Sequence, residues 1–297
     1  MVVLRNLPAG VASARHTQGM PLLMTEGNRR EIDNDECVAH YTGFESGRKI
    51  LTSNALRLGR VERLCDPREY TFGWIEIDSS VETGVSPLEI VEHDNEINNA
   101  KERFQKNCRI LCTCTRIAGE HTFCPIEASA YGRPRMWAQY GEKGEGLCLV
   151  LDRNKVQMAL EKNAEHPRYL LEGEVAYYPW LSQVDGGASL PSDPDMDWAT
   201  VNVFDLVNEN GMIRSTLFMK SIDWRDESEY RWLLYSADSG EVSLPLDQCL
   251  VGIVLGPATK NIRDIKTARE YCRRFQRPLY KLEYKHPKYK LDDLDWR

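Results

Sequence analysis

Glu227-Ser228-Glu229-Tyr230-Arg231-Trp232-Leu233-Leu234-Tyr235 is the stretch on which the reading of the fold turns. Glu229 to Tyr235 is rich in aromatic and apolar residues and reads as a strand. In an extended chain Glu227, Glu229 and Arg231 fall on one face, and Tyr230, Trp232 and Leu234 on the other. The apolar face needs a covering layer. The charged face opens either to water or to a cleft. Further strands are expected at Cys37–Thr42, around Leu56 and Leu58, and at Arg109–Thr115, Leu170–Tyr178 and Leu279–Tyr284. Two short apolar runs, Gly146–Leu151 and Leu250–Leu255, suit buried strands.

Helices are expected at Ser46–Ser53, Glu96–Lys106, Pro134–Tyr140, Val156–Asn163 and Asn261–Phe275. In the last, Ile265, Ala268, Cys272 and Phe275 recur at helical spacing. Thr200–Ser221 reads as the longest helical region, with Gly211 as an interruption. Residues 78–96 and 179–198 read as loops. Strands and helices intermix without regular βαβ alternation, so the class is α+β. The expected architecture is a single domain over 36–285, with a mixed, split β-sheet core flanked by helices. Residues 1–35 read as a loosely ordered arm and 286–297 as a C-terminal tail.

Composition narrows the function. The chain has 297 residues, a net charge of −7 and 7 Trp, 13 Tyr and 7 Phe, enough aromatic bulk for a large core. No run of ~18 apolar residues is present, so no membrane span is expected. Nine Cys, an odd number, fit free thiols in a reducing cytoplasm. The acidity argues against a general nucleic-acid binder, although a local basic groove would not show in the sum.

Motifs for chemistry are sparse. Cys108, Cys112, Cys114, His121 and Cys124 cluster, but without the spacing of paired zinc ligands. They read as small buried side chains, and no metal is expected. Gly256-Pro257-Ala258-Thr259-Lys260 lacks the Gly-Lys-Ser/Thr of a phosphate loop and reads as a structural strand-to-helix turn. Gly-x-Ser-x-Gly, His-Glu-x-x-His and Gly-x-Gly-x-x-Gly are absent. Trp137 and Tyr140, at i and i+3, share a helical face that either packs in the core or offers a platform to an aromatic ligand. Lys220 and Trp224 precede the acidic stretch. His40 and Thr42 share one strand face, with Tyr41 on the other.

Taken in order, His40-Tyr41-Thr42, Asp66-Pro67-x-Glu69, Met136-Trp137-x-x-Tyr140, Lys220, Trp224, Glu227-x-Glu229-x-Arg231 and Gly256-Pro257 resemble the prokaryotic family called domain of unknown function 2971. That likeness covers roughly residues 36–275 and implies no activity.

A more distant likeness is to ADP-ribosyltransferases. His40-Tyr41-Thr42 is similar to their first-strand signature, and Glu227-Ser228-Glu229 to their last. This resemblance implies NAD as substrate, cleaved at its nicotinamide–ribose bond, with a protein or nucleic-acid acceptor, in a toxin or phage-defence setting. Glu229 would bind the ribose 2′-OH and stabilise oxocarbenium-like charge. Glu227 would orient or deprotonate the acceptor. His40, counted with the catalytic residues, and Thr42 would hold the nicotinamide-side or adenosine ribose. Tyr41 would belong to the same NAD-binding signature, Tyr140 or Trp137 would stack on nicotinamide, and Lys220 or Arg231 would contact pyrophosphate. Two alternatives stand beside it. One is a non-catalytic binding module. The other is metal-dependent nucleic-acid chemistry, with Asp66, Glu69, Glu227 and Glu229 on Mg²⁺.

Overall fold

The computed structural model describes residues 32–64, 66, 69, 87–117, 125–166, 169–179, 197, 199–209, 211, 214, 217–236, 240–286 and 288–294. Most of the expected arm, residues 78–86, most of the loop at 179–198, and His121 and Cys124 lie outside these residues.

In chain order the elements are β1 (Cys37–Thr42), α1 (Phe44–Ser53), β2 (Ala55–Arg57), β3 (Gly59–Arg60), α2 (Pro87–Asn107), β4 (Cys108–Cys114), α3 (Pro125–Ala128), α4 (Pro134–Gln139), β5 (Leu147–Asp152), α5 (Arg153–Glu161), β6 (Leu170–Glu174), β7 (Ala176–Tyr178), α6 (Val203–Glu209), β8 (Met219–Ser221), β9 (Glu229–Tyr235), β10 (Ser243–Pro245), α7 (Leu246–Cys249), β11 (Leu250–Leu255), α8 (Ile262–Phe275), β12 (Leu279–Lys285) and β13 (Lys288–Asp293). Short 3₁₀ segments lie at Val61–Arg63, Glu142–Gly144 and Ile222–Glu227.

The main sheet has nine strands, eight of them in the order β13-β12-β11-β5-β1-β4-β9-β6, with β3 added on β4. Only the β11–β12 pair within it is parallel, and α8 makes the crossover that such a pair requires. The sheet is therefore mixed, and helices flank it. β5 and β9 are apolar or internally paired along their length because both lie inside the sheet. On one face Tyr230, Trp232 and Leu234 join Leu149, Leu151, Val156, Ala268 and Cys272 in a core roofed by α1, α5 and α8. Asp152 caps α5 by accepting from the Lys155 amide at 3.0 Å, and Asn261 caps α8 through the Arg263 amide at 3.0 Å.

The other face holds two separate cores. One gathers Phe104, Ile110, Phe204, Leu233 and Tyr235 over β4 and β9, and the other gathers Tyr41, Tyr131, Trp137, Val150 and Leu282 over β1, β5 and β12. Between them the sheet parts. β1 runs fully paired to β5 from Cys37↔Asp152 to Thr42↔Leu147, yet meets β4 at a single register pair, Ala39↔Cys114. β3 takes the other end of β4, at Ile110 and Arg109. Leu111 to Thr113 therefore have no strand partner on that side among the described residues, and a window opens there.

Four expectations are corrected. Residues 87–96 are helical, the first half of α2, and not loop. Ile97, Ala100 and Phe104 supply its buried stripe, and the acidic first half shows no such stripe in the sequence. The helical region expected over 200–221 is interrupted as Gly211 suggested: α6 ends at Glu209, Arg214 and Leu217 are again helical, and its last residues, Met219–Ser221, are instead a strand parallel to β7. The run at 170–178 breaks at Val175 into β6 and β7, which belong to different sheets. The expected tail contains β13, which completes the sheet edge against β12.

The Gly256 turn is structural. A Cβ at Gly256 would sit 2.2 Å from the Gly144 carbonyl oxygen, and one at Gly146 would sit 2.3 Å from the Thr42 carbonyl oxygen. The turn's amides are occupied: Gly256 donates to Gly146 at 3.0 Å and Ala258 to Gly144 at 2.8 Å.

Candidate functional site

The window in the sheet leads to a cavity of about 210 Å³. Its walls include His40 from β1, Cys112 and Cys114 from β4, Arg63 and Leu64 after β3, and Tyr140 after α4. Its floor is a buried charged cluster of Glu69, Lys220, Glu227 and Glu229, and Arg231 lies beneath them with no exposed surface.

The cluster follows from register. Glu229 and Arg231 alternate on β9 and so share a face, placed opposite Cys114 and Cys112 of β4. Glu227 is not on that strand. It ends the 3₁₀ turn, and Ser228 follows in the left-handed conformation at φ 38°, ψ 59°. Lys220, the middle residue of β8, draws the two acids together: Nζ lies 2.7 Å from Glu227 Oε2 and 2.8 Å from Glu229 Oε2. The same Nζ sits 5.1 Å from the centre of the Trp224 ring. Arg231 grips Glu229 at both oxygens, Nε to Oε1 at 2.6 Å and Nη2 to Oε2 at 2.8 Å. It also meets Glu69 and donates to the Leu217 carbonyl. Glu69 is 3.7 Å from Lys220.

Electrostatics separate the carboxylates. Burial alone would raise Glu229, but Arg231 and then Lys220 outweigh it and hold the group at about 2. Burial dominates at Glu69, whose carboxyl is raised in spite of Arg231 and Lys220. Burial opposes charge on Lys220 too, yet Glu229 and the other acids win, and its affinity for the proton is raised. The thiol of Cys112 is pushed well up, first by burial and then by the charge of Glu229. Both oxygens of Glu229 are thus engaged: Arg231 donates to each, and Lys220 lies 2.8 Å from Oε2. Glu227 receives two: Lys220, and the Tyr140 hydroxyl at 2.8 Å on Oε1. It retains open lone pairs.

His40 closes the window. Its Nδ1 lies 3.2 Å from the Cys112 carbonyl oxygen, on the stretch of β4 that has no strand partner on the β1 side among the described residues. A carbonyl only accepts, so Nδ1 is the protonated nitrogen. Burial lowers the imidazole below its ordinary range, against the pull of that carbonyl. The neutral ring then keeps an unprotonated Nε2.

Of the residues singled out from the sequence, His40, Tyr41, Tyr140, Lys220, Glu227 and Glu229 line this cavity. Tyr41 commits its hydroxyl to the Ala130 carbonyl at 2.7 Å, so it is not free for ribose. Thr42 is buried beside β5 and is not a lining residue. Trp137 does not form a stacking platform. It is buried at 2% exposure, its Nε1 donates to Tyr131, and Tyr41 meets it edge-on at 5.0 Å. Arg231 is not available to a pyrophosphate, because its donors are spent inside the cluster. Three acids of the Mg²⁺ alternative, Glu69, Glu227 and Glu229, are held by cations rather than left open to a metal. Lys220 and Arg231 stand among them, and no group of three potential ligands is placed for a metal among the described residues.

The sequence reading missed Cys112 and the pairing of Glu69 with Arg231. Both are contacts across more than a hundred residues, and only strand register creates them. Tyr177, whose oxygen accepts from the Glu229 amide at 2.9 Å, was likewise hidden in a strand-like run.

Residues 136–232 match the family model described as Protein of unknown function (DUF2971). The match covers about a third of the chain and includes Tyr140, Lys220, Glu227, Glu229 and Arg231. It leaves out His40, Glu69 and Cys112. No curated protein and no solved structure matches the chain. These comparisons lend no support to the resemblance to ADP-ribosyltransferases drawn from the sequence.

Proposed function

We propose that the cavity breaks the N-glycosidic bond between nicotinamide and ribose in NAD, passing ADP-ribose to an acceptor hydroxyl or to water. The observation that supports this reading is the pair of unequal carboxylates, Glu227 and Glu229, held on one lysine in a cavity that His40 and Tyr140 also line.

As the C1′–N bond breaks, its electron pair goes to the pyridinium nitrogen and nicotinamide leaves neutral. The sugar is left with oxocarbenium character. Glu229, ionised and fully engaged, supplies a fixed negative charge for that cation in a water-poor setting. Both its oxygens are engaged by Arg231 and Lys220, so the 2′-OH contact passes to the open side of Glu227. Glu227 then accepts the proton of the attacking hydroxyl as the new C1′–O bond forms. Tyr140 fixes the orientation of that carboxylate. At about 210 Å³ the cavity is smaller than the ~300 Å³ usual for whole ligands, so it suits the reacting ring and its sugar and leaves the remaining nucleotide outside.

The test is nicotinamide release by the full chain, with and without cell lysate as acceptor source. Wild type releases nicotinamide, and Glu227→Gln lowers kcat by about a hundredfold or more, as loss of a general base does. Absence of both release and NAD binding in calorimetry would overturn the proposal. NAD bound without release would assign the cavity to a binding module.

A further inference from the structure

The net charge of −7 conceals a reversal along the chain. Residues 260–290 contain eleven Lys and Arg against three Asp and Glu, a net +8. The fold gathers this charge on one surface. On α8, Arg263, Lys266, Arg273 and Arg274 are exposed and fall within one face at 100° per residue, with Glu270 the acid among them. Ala268 and Cys272 occupy the opposite side, against the sheet.

The sheet edge continues the surface. Leu279 of β12 faces the same core as α8, so Lys281 and Lys285, at alternate positions, share its face. The register pairs Lys285↔Lys288 and Glu283↔Lys290 bring Lys288 and Lys290 of β13 to that face as well. The two acids there, Glu283 and Asp292, pair with Lys281, Lys285 and Lys290. Arg263, Lys266 and Lys288 have no ion-pair partner among the described residues. The acidic cluster of the cavity lies on the other face of the sheet, beside Leu233 and Tyr235.

We propose that this face of α8 and the β12–β13 edge binds the phosphate backbone of a double-helical nucleic acid. From Arg263 to Arg274 the helix advances about 16 Å, which matches the axial length of about five base pairs. Arginine predominates in the stripe, and its planar guanidinium suits phosphate oxygens better than an ammonium does. An anionic membrane is the weaker fit, because surface helices bind lipid by inserting an apolar face, and that face of α8 is already packed on the sheet. The surface acts without base contacts, so it is indifferent to sequence. It is independent of the NAD reading, since it shares no residue with the cavity.

The experiment is fluorescence anisotropy of the full chain with labelled 20-base-pair duplexes of mixed sequence, one DNA and one RNA, at 50 and 200 mM KCl. Phosphatidylserine vesicles form a third arm. Duplex binding should weaken about 100-fold between the two salt concentrations if about four phosphates are neutralised. The variant R263Q/K266Q/R273Q/R274Q should lose at least tenfold in affinity at 50 mM and show a flatter salt dependence. Gln keeps helix propensity close to that of Lys and Arg, and the pair K266Q/R273Q preserves the test if four changes disturb folding. Whichever duplex binds more tightly identifies the nucleic acid. No duplex binding at 50 mM KCl, an unchanged affinity in a folded variant, or binding to vesicles alone overturns the proposal.

Discussion

Replacing Glu229 by Gln removes the carboxylate that Arg231 and Lys220 share, and the cost should depend on pH in a defined way. In the folded chain this group titrates at about 2, against 4.5 for the ordinary side chain. That gap corresponds to about 3 kcal/mol of stabilisation. The folded-state value lies below the unfolded one. The contribution is therefore complete above about pH 4.5 and is lost as the pH falls toward 2. More than half should be gone by about pH 3. Glu69 runs the other way, since its raised carboxyl favours the folded state as it takes up a proton. The Glu229 charge is one of the causes that raise it, so the substitution relaxes this opposing trend, and the pH dependence of the difference is led by Glu229 itself. Urea unfolding of wild type and Glu229→Gln should show a gap of about 3 kcal/mol at pH 7, or roughly 6–10 °C in Tm. The gap should narrow steadily between pH 4.5 and 3. A gap that stays constant over this range, or one below about 1 kcal/mol at pH 7, would refute the argument that the two cations set the state of this acid.

Tyr140→Phe deletes the hydroxyl that orients Glu227, so nicotinamide release should fall at least tenfold while urea unfolding changes by only about 1 kcal/mol. Lys220→Met leaves Glu227 and Glu229 facing each other without their shared cation, and should cost about 3–5 kcal/mol in the same unfolding assay. Gly146→Ala forces a Cβ against the Thr42 carbonyl, which is backbone and cannot swing away; thermal melting should report a loss of at least about 2 kcal/mol. His40→Ala leaves the Cys112 carbonyl without its donor, with an expected loss of about 1–3 kcal/mol.

Much of the frame was legible in the sequence because local pattern and final environment agree. Cys37–Thr42, Glu229–Tyr235 and Leu250–Leu255 were read with the boundaries they have in the structure. In each, alternation or an unbroken apolar run reports a strand inside a sheet. The misreadings fall where that agreement fails. β13 has Leu291 as its buried residue, and the charged positions around it resemble a tail. The strand at Met219–Ser221 exists because β7 pairs with it, a partner no local pattern announces. The site divides in the same way. The sequence showed that Glu229 and Arg231 share a face, and the rule of alternation was enough for that. It also placed Glu227 on the strand, whereas the left-handed Ser228 sets it on a turn, and only Lys220 returns it to Glu229. Which tyrosine or tryptophan faces the cavity was not decidable from i, i+3 spacing, because Trp137 and Tyr140 differ in what packs against them.

The lone Ala39↔Cys114 pair makes the middle of the sheet a seam between two plates. One plate is built on β5 and β1, the other on β4 and β9, and each is ribbed by long ladders of its own. A sheet ordinarily resists shear in proportion to its cross-strand bonds, and here that resistance is concentrated in the plates. Twisting one against the other would strain the seam, with the His40 ring as its fastener, and the core that β5 and β9 share on the α8 face. The width of the slot above Glu227 is then governed by the angle between the plates. Amides along the seam should exchange with deuterium ahead of those in β5 and β9, and a ligand wedged in the slot should slow them.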